Sequence, residues 1–313
     1  MEGLQEKMTF SGSRVLVTGG TGSFGQVIVR QLLEAGAAEV RVLSRDEAKQ
    51  DAMREQFSDD RIVFITGDVR DASTVVASME GARHVFHAAA LKQVPNCERY
   101  PMEAIRTNAL GSENVRLAAL QCEPDAVVAI STDKACAPIN TMGLTKALME
   151  RLFLQNRANG TKFVCVRYGN VIGSRGSIIP LFIDRIRRNK PLPITDPNMT
   201  RFLLRLPEAV ETALKAAFLG KHGELWVRKM PAATVEDLAT AISPQGYPRE
   251  NIGVRPGEKM HEVLVNEDEM RRAVEFGNHY VIGTERTGLA GEYTSENTER
   301  LSVEAIRSLL EAS

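Results

Sequence analysis

The stretch Val15-Leu16-Val17-Thr18-Gly19-Gly20-Thr21-Gly22-Ser23-Phe24-Gly25 decides how the chain folds. A short apolar, β-branched run ends at Gly19, and glycines recur at 22 and 25 in the spacing GxxGxxG. Lacking a Cβ, glycine lets the backbone turn tightly and approach a pyrophosphate, which the following helix N-terminus attracts. Such a pattern is weak on its own. Here a strand run precedes it, and Phe24, Ile28, Leu32 and Ala35 follow at three- and four-residue steps on one helix face. The expected element is a dinucleotide-binding turn, with Gly19, Thr21, Gly22, Ser23, Phe24 and Gly25 against the cofactor.

Working outward, similar runs recur at Arg14–Thr18, Val40–Ser44, Ile62–Thr66, His84–Ala88, Ala126–Ser131 and Phe163–Arg167, each followed by a segment of helical period. Parallel strands need long crossovers, and these spacings provide them. The fold class is therefore α/β, a Rossmann-type doubly wound parallel sheet. After about Gly173 the alternation breaks down. Residues 1–172 are expected to form the dinucleotide-binding domain, with 205–230 returning to it. Residues 173–204 and 231–313 are expected to form a smaller substrate-binding lobe, with the crevice at the carboxyl ends of the strands.

The second strand ends in Ser44-Arg45-Asp46. A site that prefers NAD usually offers a carboxylate at this tip for the ribose hydroxyls; Ser44 stands there instead, and Arg45 can grip a 2′-phosphate. The cofactor is accordingly read as NADP, the other reading of Arg45 being an exposed surface arginine. Asp68, beside Val69 after the third strand, can bond the adenine amine; a plain turn aspartate is the alternative. Ala88, Ala89, Ala90 and Tyr168, at later strand ends, are placed against the cofactor as well.

Lys and Arg number 39 against 40 Asp and Glu, for a net charge of -1, so no basic excess exists to neutralise a nucleic acid. The basic run Arg185 to Lys190 reads as a solvated helix end. Met1 to Phe10 lacks the apolar core of a signal peptide, and no apolar run is long enough to span a bilayer, so a cytoplasmic protein is expected. Cys97, Cys122, Cys136 and Cys165 show no paired metal spacing and suit reduced thiols. His84 and His87, three apart on a strand, point to opposite faces and are structural rather than ligands; no metal site is expected.

The fifth strand ends in Ile130-Ser131-Thr132-Asp133-Lys134, and the next helix carries Met142 and Lys146 on one face. Together with the glycine loop this resembles the extended short-chain dehydrogenases/reductases, whose hallmark is Tyr-x-x-x-Lys after a strand ending in Ser or Thr. Within that superfamily the chain resembles the soluble UDP-N-acetylglucosamine 4,6-dehydratases, including capsule-synthesis members that also epimerise carbon 5. The stretches that carry the likeness are 131–135, 140–146, 167–171, 173–177, 196–202, 232–234, 255–259 and 292–295. One departure is a Pro- and Gly-broken, shortened segment at 242–251.

Met142 stands where most of the superfamily has tyrosine. A thioether cannot ionise, so either the protein is catalytically dead or another group is the base. The resemblance favours the second, since its capsule-type members also carry methionine. It implies that Thr132, assisted by Lys146, handles the proton of the sugar 4-hydroxyl. Lys134 would remove the carbon 5 proton, and Asp133 would protonate the oxygen leaving carbon 6. Lysine is a poor base at its reference pKa of about 10.4, and desolvation is expected to lower it. The competing reading of Asp133–Lys134 is a surface ion pair. Arg201 and Arg255 are implied for the diphosphate, with Asn170, Glu258, Met142 and Lys92 against the substrate; Lys92 reads equally as a solvated loop lysine. The resemblance further implies a nucleotide-sugar substrate and a homo-oligomer, with Gly291 to Leu301 as a latch over a neighbour. Competing functions are another nucleotide-sugar epimerase or keto-reductase, and a non-catalytic NADP-binding regulator.

Overall fold

The computed structural model describes residues 9–155, 160–174 and 177–311. The start of the N-terminal segment read for a leader (1–8) and Arg175 and Gly176 of the 173–177 stretch lie outside the described residues.

The apolar runs form strands β1 (Arg14–Thr18), β2 (Glu39–Ser44), β3 (Ile62–Thr66), β4 (His84–His87), β5 (Ala126–Ile130) and β6 (Lys162–Arg167). Between them lie helices α1 (Ser23–Glu34), α2 (Glu47–Phe57), α3 (Ala72–Met79), α4 (Gly111–Cys122) and α5 (Thr141–Phe153). Every residue of β5 is buried, as expected of a strand covered on both faces. Strand β1 pairs in parallel with both β2 and β4, so the winding direction reverses beside it. A crevice at the carboxyl ends follows from that reversal.

Beyond β6 lie β7 (Asn170–Val171), α6 (Ile178–Arg187), β8 (Leu192–Ile194), β9 (Thr200–Leu204), α7 (Leu206–Leu219) and β10 (Leu225–Arg228). Then come β11 (Ala232–Thr234), α8 (Val235–Ile242), β12 (Arg249–Asn251), β13 (Val263–Val265), β14 (Ala273–Phe276), β15 (His279–Ile282), β16 (Tyr293–Thr294) and α9 (Val303–Glu311). Strand β10 joins β6 in parallel, and α7 packs on α1. The large sheet runs β14-β15-β10-β6-β5-β4-β1-β2-β3, with small sheets β11-β9-β7, β12-β8 and β13-β16 beside it. Ile172, Ile179, Leu203, Leu238 and Ile306 make a separate apolar cluster under these small sheets.

One expectation needs correction. Residues 273–282, assigned from sequence to the substrate lobe, form a hairpin that extends the large sheet. The cause is the free edge of β10: antiparallel β15 satisfies its backbone groups, while Ala273 and Ile282 enter the main core.

Just before α4 the helix opens into a π-turn at Ile105–Leu110. It carries the buried Asn108, whose Oδ1 accepts from Leu91 N at 2.7 Å while Nδ2 donates to Leu91 O at 2.9 Å. The same Nδ2 donates to Thr145 Oγ1 at 3.0 Å, tying the loop after β4 to α5. Among the described residues no helix is long and apolar enough to cross a membrane.

Candidate active site

A cavity of about 660 Å³ opens at the carboxyl ends of the parallel strands. Its floor is the glycine loop. Gly19 has φ +69°, and a Cβ there would stand 2.7 Å from the Ala89 backbone. A Cβ at Gly25 would lie 2.3 Å from Gly20 O, so α1 can start this close to the turn only without a side chain. The α1 N-cap, Gly22, offers no side-chain cap, and the first turn holds no acidic residue. Its N–H groups are therefore left for an anion, which is what a dinucleotide pyrophosphate requires. Thr21, Ser23, Phe24, Ala88, Ala89, Ala90 and Tyr168 line the same cavity, and the Phe24 and Tyr168 rings stack at 6.4 Å.

Ser44 turns its hydroxyl to Thr21 Oγ1 at 2.8 Å, behind the loop, and does not line the cavity. Arg45 meets Asp68 at 3.3 Å, and Asp68 also pairs with Arg70 at 2.6 Å. Burial pushes the Asp68 carboxyl up, but Arg70 and Arg45 outweigh it and hold the group below its ordinary value. Asp68 is thus an ion-paired carboxylate just after β3. Val69 is buried against Gly111 rather than facing the cavity, because its isopropyl group fills the space that glycine leaves. Sequence reasoning missed Lys49, which lines the cavity one turn into α2 and pairs with Asp46, the residue capping that helix. Its position in the first turn after the strand tip was the available signal.

The opposite wall holds the acid–base groups. Thr132, two residues past β5, caps a short 3₁₀ turn, Asp133–Ala135. Its Oγ1 donates to Asp133 Oδ1 at 2.8 Å, and Lys134 Nζ donates to the same oxygen at 3.1 Å. The Asp133 side chain is only 1% exposed, so the doublet is no surface ion pair. Glu262, just before β13, supplies a second carboxylate 3.2 Å from Lys134 Nζ, and its Oε1 lies 4.0 Å from Arg201 Nε. Glu262 was not foreseen: it follows the 255–259 stretch by three residues but has no spacing that links it to Asp133. The expectation of a lowered Lys134 pKa is corrected here. Burial does push the amine down, but Asp133 and Glu262 together outweigh it and hold it above its ordinary value.

Lys146 behaves in the opposite way. It is buried, its Nζ faces Met149 Sδ at 3.1 Å, and burial lowers its pKa to about 8. Met142 shares its helix face and packs with Cys97, Ala104, Leu91 and Val94 while still lining the cavity. The cavity brings Lys92, Asn170, Arg201, Arg255 and Glu258 together with these groups. His84 meets Phe10 edge to face, and the buried His87 bonds Thr18 and Ser112, so both are structural. Among the described residues no group of His, Cys, Asp and Glu could hold a metal ion.

Residues 15–284 match the family described as polysaccharide biosynthesis protein. A relative from Rickettsia bellii (strain RML369-C), called UDP-glucose 4-epimerase, is 46% identical over 329 residues, covering 96% of each chain. The X-ray structure of Pen from Bacillus thuringiensis is 36% identical with a TM-score of 0.93, covering 97% of this chain and 98% of that one. The UDP-glucose 4-epimerase of Thermus thermophilus, solved with NAD, is 25% identical with a TM-score of 0.68 over 78% of this chain and 88% of its own. With a glycine loop, a nucleotide-sized cavity and a likeness of this length, the chain belongs to the polysaccharide biosynthesis protein family, within the extended short-chain dehydrogenases/reductases that include nucleotide-sugar epimerases and dehydratases.

Proposed function

We propose that the protein is an NADP-dependent nucleotide-sugar 4,6-dehydratase acting on UDP-N-acetylglucosamine, with or without inversion at carbon 5. One observation carries this reading: an Asp133–Lys134 acid–base pair lies inside the cavity beside Thr132, while Met142, at the usual tyrosine position, cannot ionise. A dehydration needs a base for carbon 5 and an acid for the carbon 6 oxygen, and this doublet can become both.

NADP supplies a reversible hydride acceptor for sugar carbon 4 and donor for carbon 6. The chain manages the protons. Thr132 Oγ1 accepts the 4-hydroxyl proton as it releases its own to solvent, with Lys146 nearby on the same wall. Across the 3.1 Å contact, Lys134 passes its proton to Asp133, which creates a neutral amine and a neutral acid. The amine then receives the carbon 5 proton, and Asp133 protonates the carbon 6 oxygen as water leaves. The pair returns to its ionised state; Lys134 then gives a proton to carbon 5 as hydride reaches carbon 6 and regains one from solvent, so protons balance. We assign Arg201 and Arg255 to the diphosphate, and Asn170, Lys92 and Glu258 to the sugar, since all five line the cavity. For the 2′-phosphate of NADP we assign Lys49 together with Arg45.

A homo-oligomer accompanies this reading, because Leu110, Leu117, Leu144 and Leu148 are exposed near or on α4 and α5. The four unpaired cysteines suit a cytoplasmic setting.

The test is incubation with UDP-N-acetylglucosamine in deuterated water, followed by NMR and mass spectrometry. Loss of one water with one deuteron at carbon 5 supports the reading, and the ring couplings report whether that carbon has inverted. Inversion at carbon 4 without water loss favours a 4-epimerase instead, the activity named for the Rickettsia relative. That activity has no need of Asp133 and Lys134.

A further inference from the structure

Lys134 is held from two sides by carboxylates that come from distant parts of the chain. Asp133 approaches from the 3₁₀ turn at 3.1 Å, and Glu262 approaches from the segment before β13 at 3.2 Å. Arg201, on β9, is the further charged group facing this cluster. Both carboxylates are buried, and each has one oxygen, Asp133 Oδ2 and Glu262 Oε2, without a hydrogen-bond partner among the described residues. Glu262 is itself fixed in place: its backbone N donates to Ser295 Oγ at 2.8 Å, and Ser295 N donates back to Glu262 O. A buried carboxylate held by its own backbone and pointed at an amine costs desolvation, and the ammonium offsets that cost.

We propose that Glu262 is a positioning residue: it shares the Lys134 ammonium with Asp133 and so fixes where that amine stands and how readily it gives up its proton. The catalytic meaning of this role rests on the dehydratase reading; the contact itself does not. With Glu262 present, the ammonium that Lys134 becomes on taking the carbon 5 proton stands between two carboxylates. Without it, Asp133 alone holds the amine opposite Arg201, and Lys134 becomes neutral at lower pH.

The experiment has two arms. In the first, no substrate is added: trace acetic anhydride acetylates neutral amines across a pH series, and mass spectrometry of the Lys134 peptide gives its midpoint. The expected result is a midpoint lower by about 1–3 pH units in Glu262→Gln, the range for losing an adjacent opposite charge. Glu262→Asp, which keeps the charge but shortens its reach, should fall between the two and carries the test if the glutamine variant does not fold. In the second arm, the basic limb of kcat/KM moves down in Glu262→Gln, because the working pair starts with Lys134 protonated. Unchanged Lys134 midpoints in the folded variants overturn the proposal. A shifted midpoint in a protein that never releases water from the sugar sinks the dehydratase reading and leaves Glu262 in its role.

Discussion

Glu150 and Arg167 meet through two hydrogen bonds, Nε to Oε1 at 3.0 Å and Nη2 to Oε2 at 2.6 Å, in a place where the arginine is 1% exposed. The pair joins α5, which carries Lys146, to β6. Glu269 accepts from the guanidinium at 2.8 and 2.9 Å, Leu264 O accepts at 2.8 Å, and Ser131, just past β5, donates to Glu150. Removing one partner from a buried pair leaves a charge uncompensated, which costs about 3–5 kcal/mol. Urea unfolding of Glu150→Ala should show a loss of this size. A loss below about 1 kcal/mol would mean that Glu269 alone satisfies Arg167.

Lys146 gives a pH signature. Burial brings its pKa to about 8, so the ammonium is complete well below that pH and is lost as pH rises through it. A turnover step that needs this positive charge should therefore fade above about pH 8. The basic limb of the kcat profile is the measurement. In Lys146→Arg any remaining activity should persist to higher pH, because guanidinium does not deprotonate in this range.

Gly25→Ala tests the dinucleotide turn. Its new methyl would sit 2.3 Å from Gly20 O and 2.4 Å from two further backbone atoms, none of which is a flexible side-chain end. The turn must open, at about 1–3 kcal/mol, and calorimetric binding of NADP should weaken at least about tenfold. Equal affinity for the variant would remove the cofactor from this loop.

The assignment of the 2′-phosphate separates NADP from NAD. Replacing Lys49 and Arg45 together with Ala should weaken NADP by about ten- to a hundredfold and leave NAD within about threefold, since only NADP loses charge-assisted bonds. Parallel losses for both cofactors would place these side chains elsewhere.

Much of the architecture was legible because it is local. Short apolar runs and segments of helical period alternate from Arg14 to Arg167, and the GxxGxxG spacing encodes a steric demand that the structure displays at Gly19 and Gly25. Thr132, Asp133, Lys134, Met142 and Lys146 could be grouped because a strand end and one helix face bring them together. What escaped was long-range. Glu262 reaches Lys134 through the fold alone, so a reading of Lys134 from its neighbours counted desolvation and missed the second carboxylate. The 273–282 hairpin was misassigned because strand pairing depends on which edge lies open.

The π-turn before α4 makes chain length itself a functional variable. Its one wide turn presents Asn108 to both Leu91 backbone groups and to Thr145. Deleting a single residue there would let the helix regularise, gaining better backbone bonds while rotating Asn108 away by about a hundred degrees. Secondary structure would improve and the loop carrying Lys92 would lose its tether to α5. At this point the protein tolerates a defect in its helix as the means of measuring the distance between two walls of its cavity.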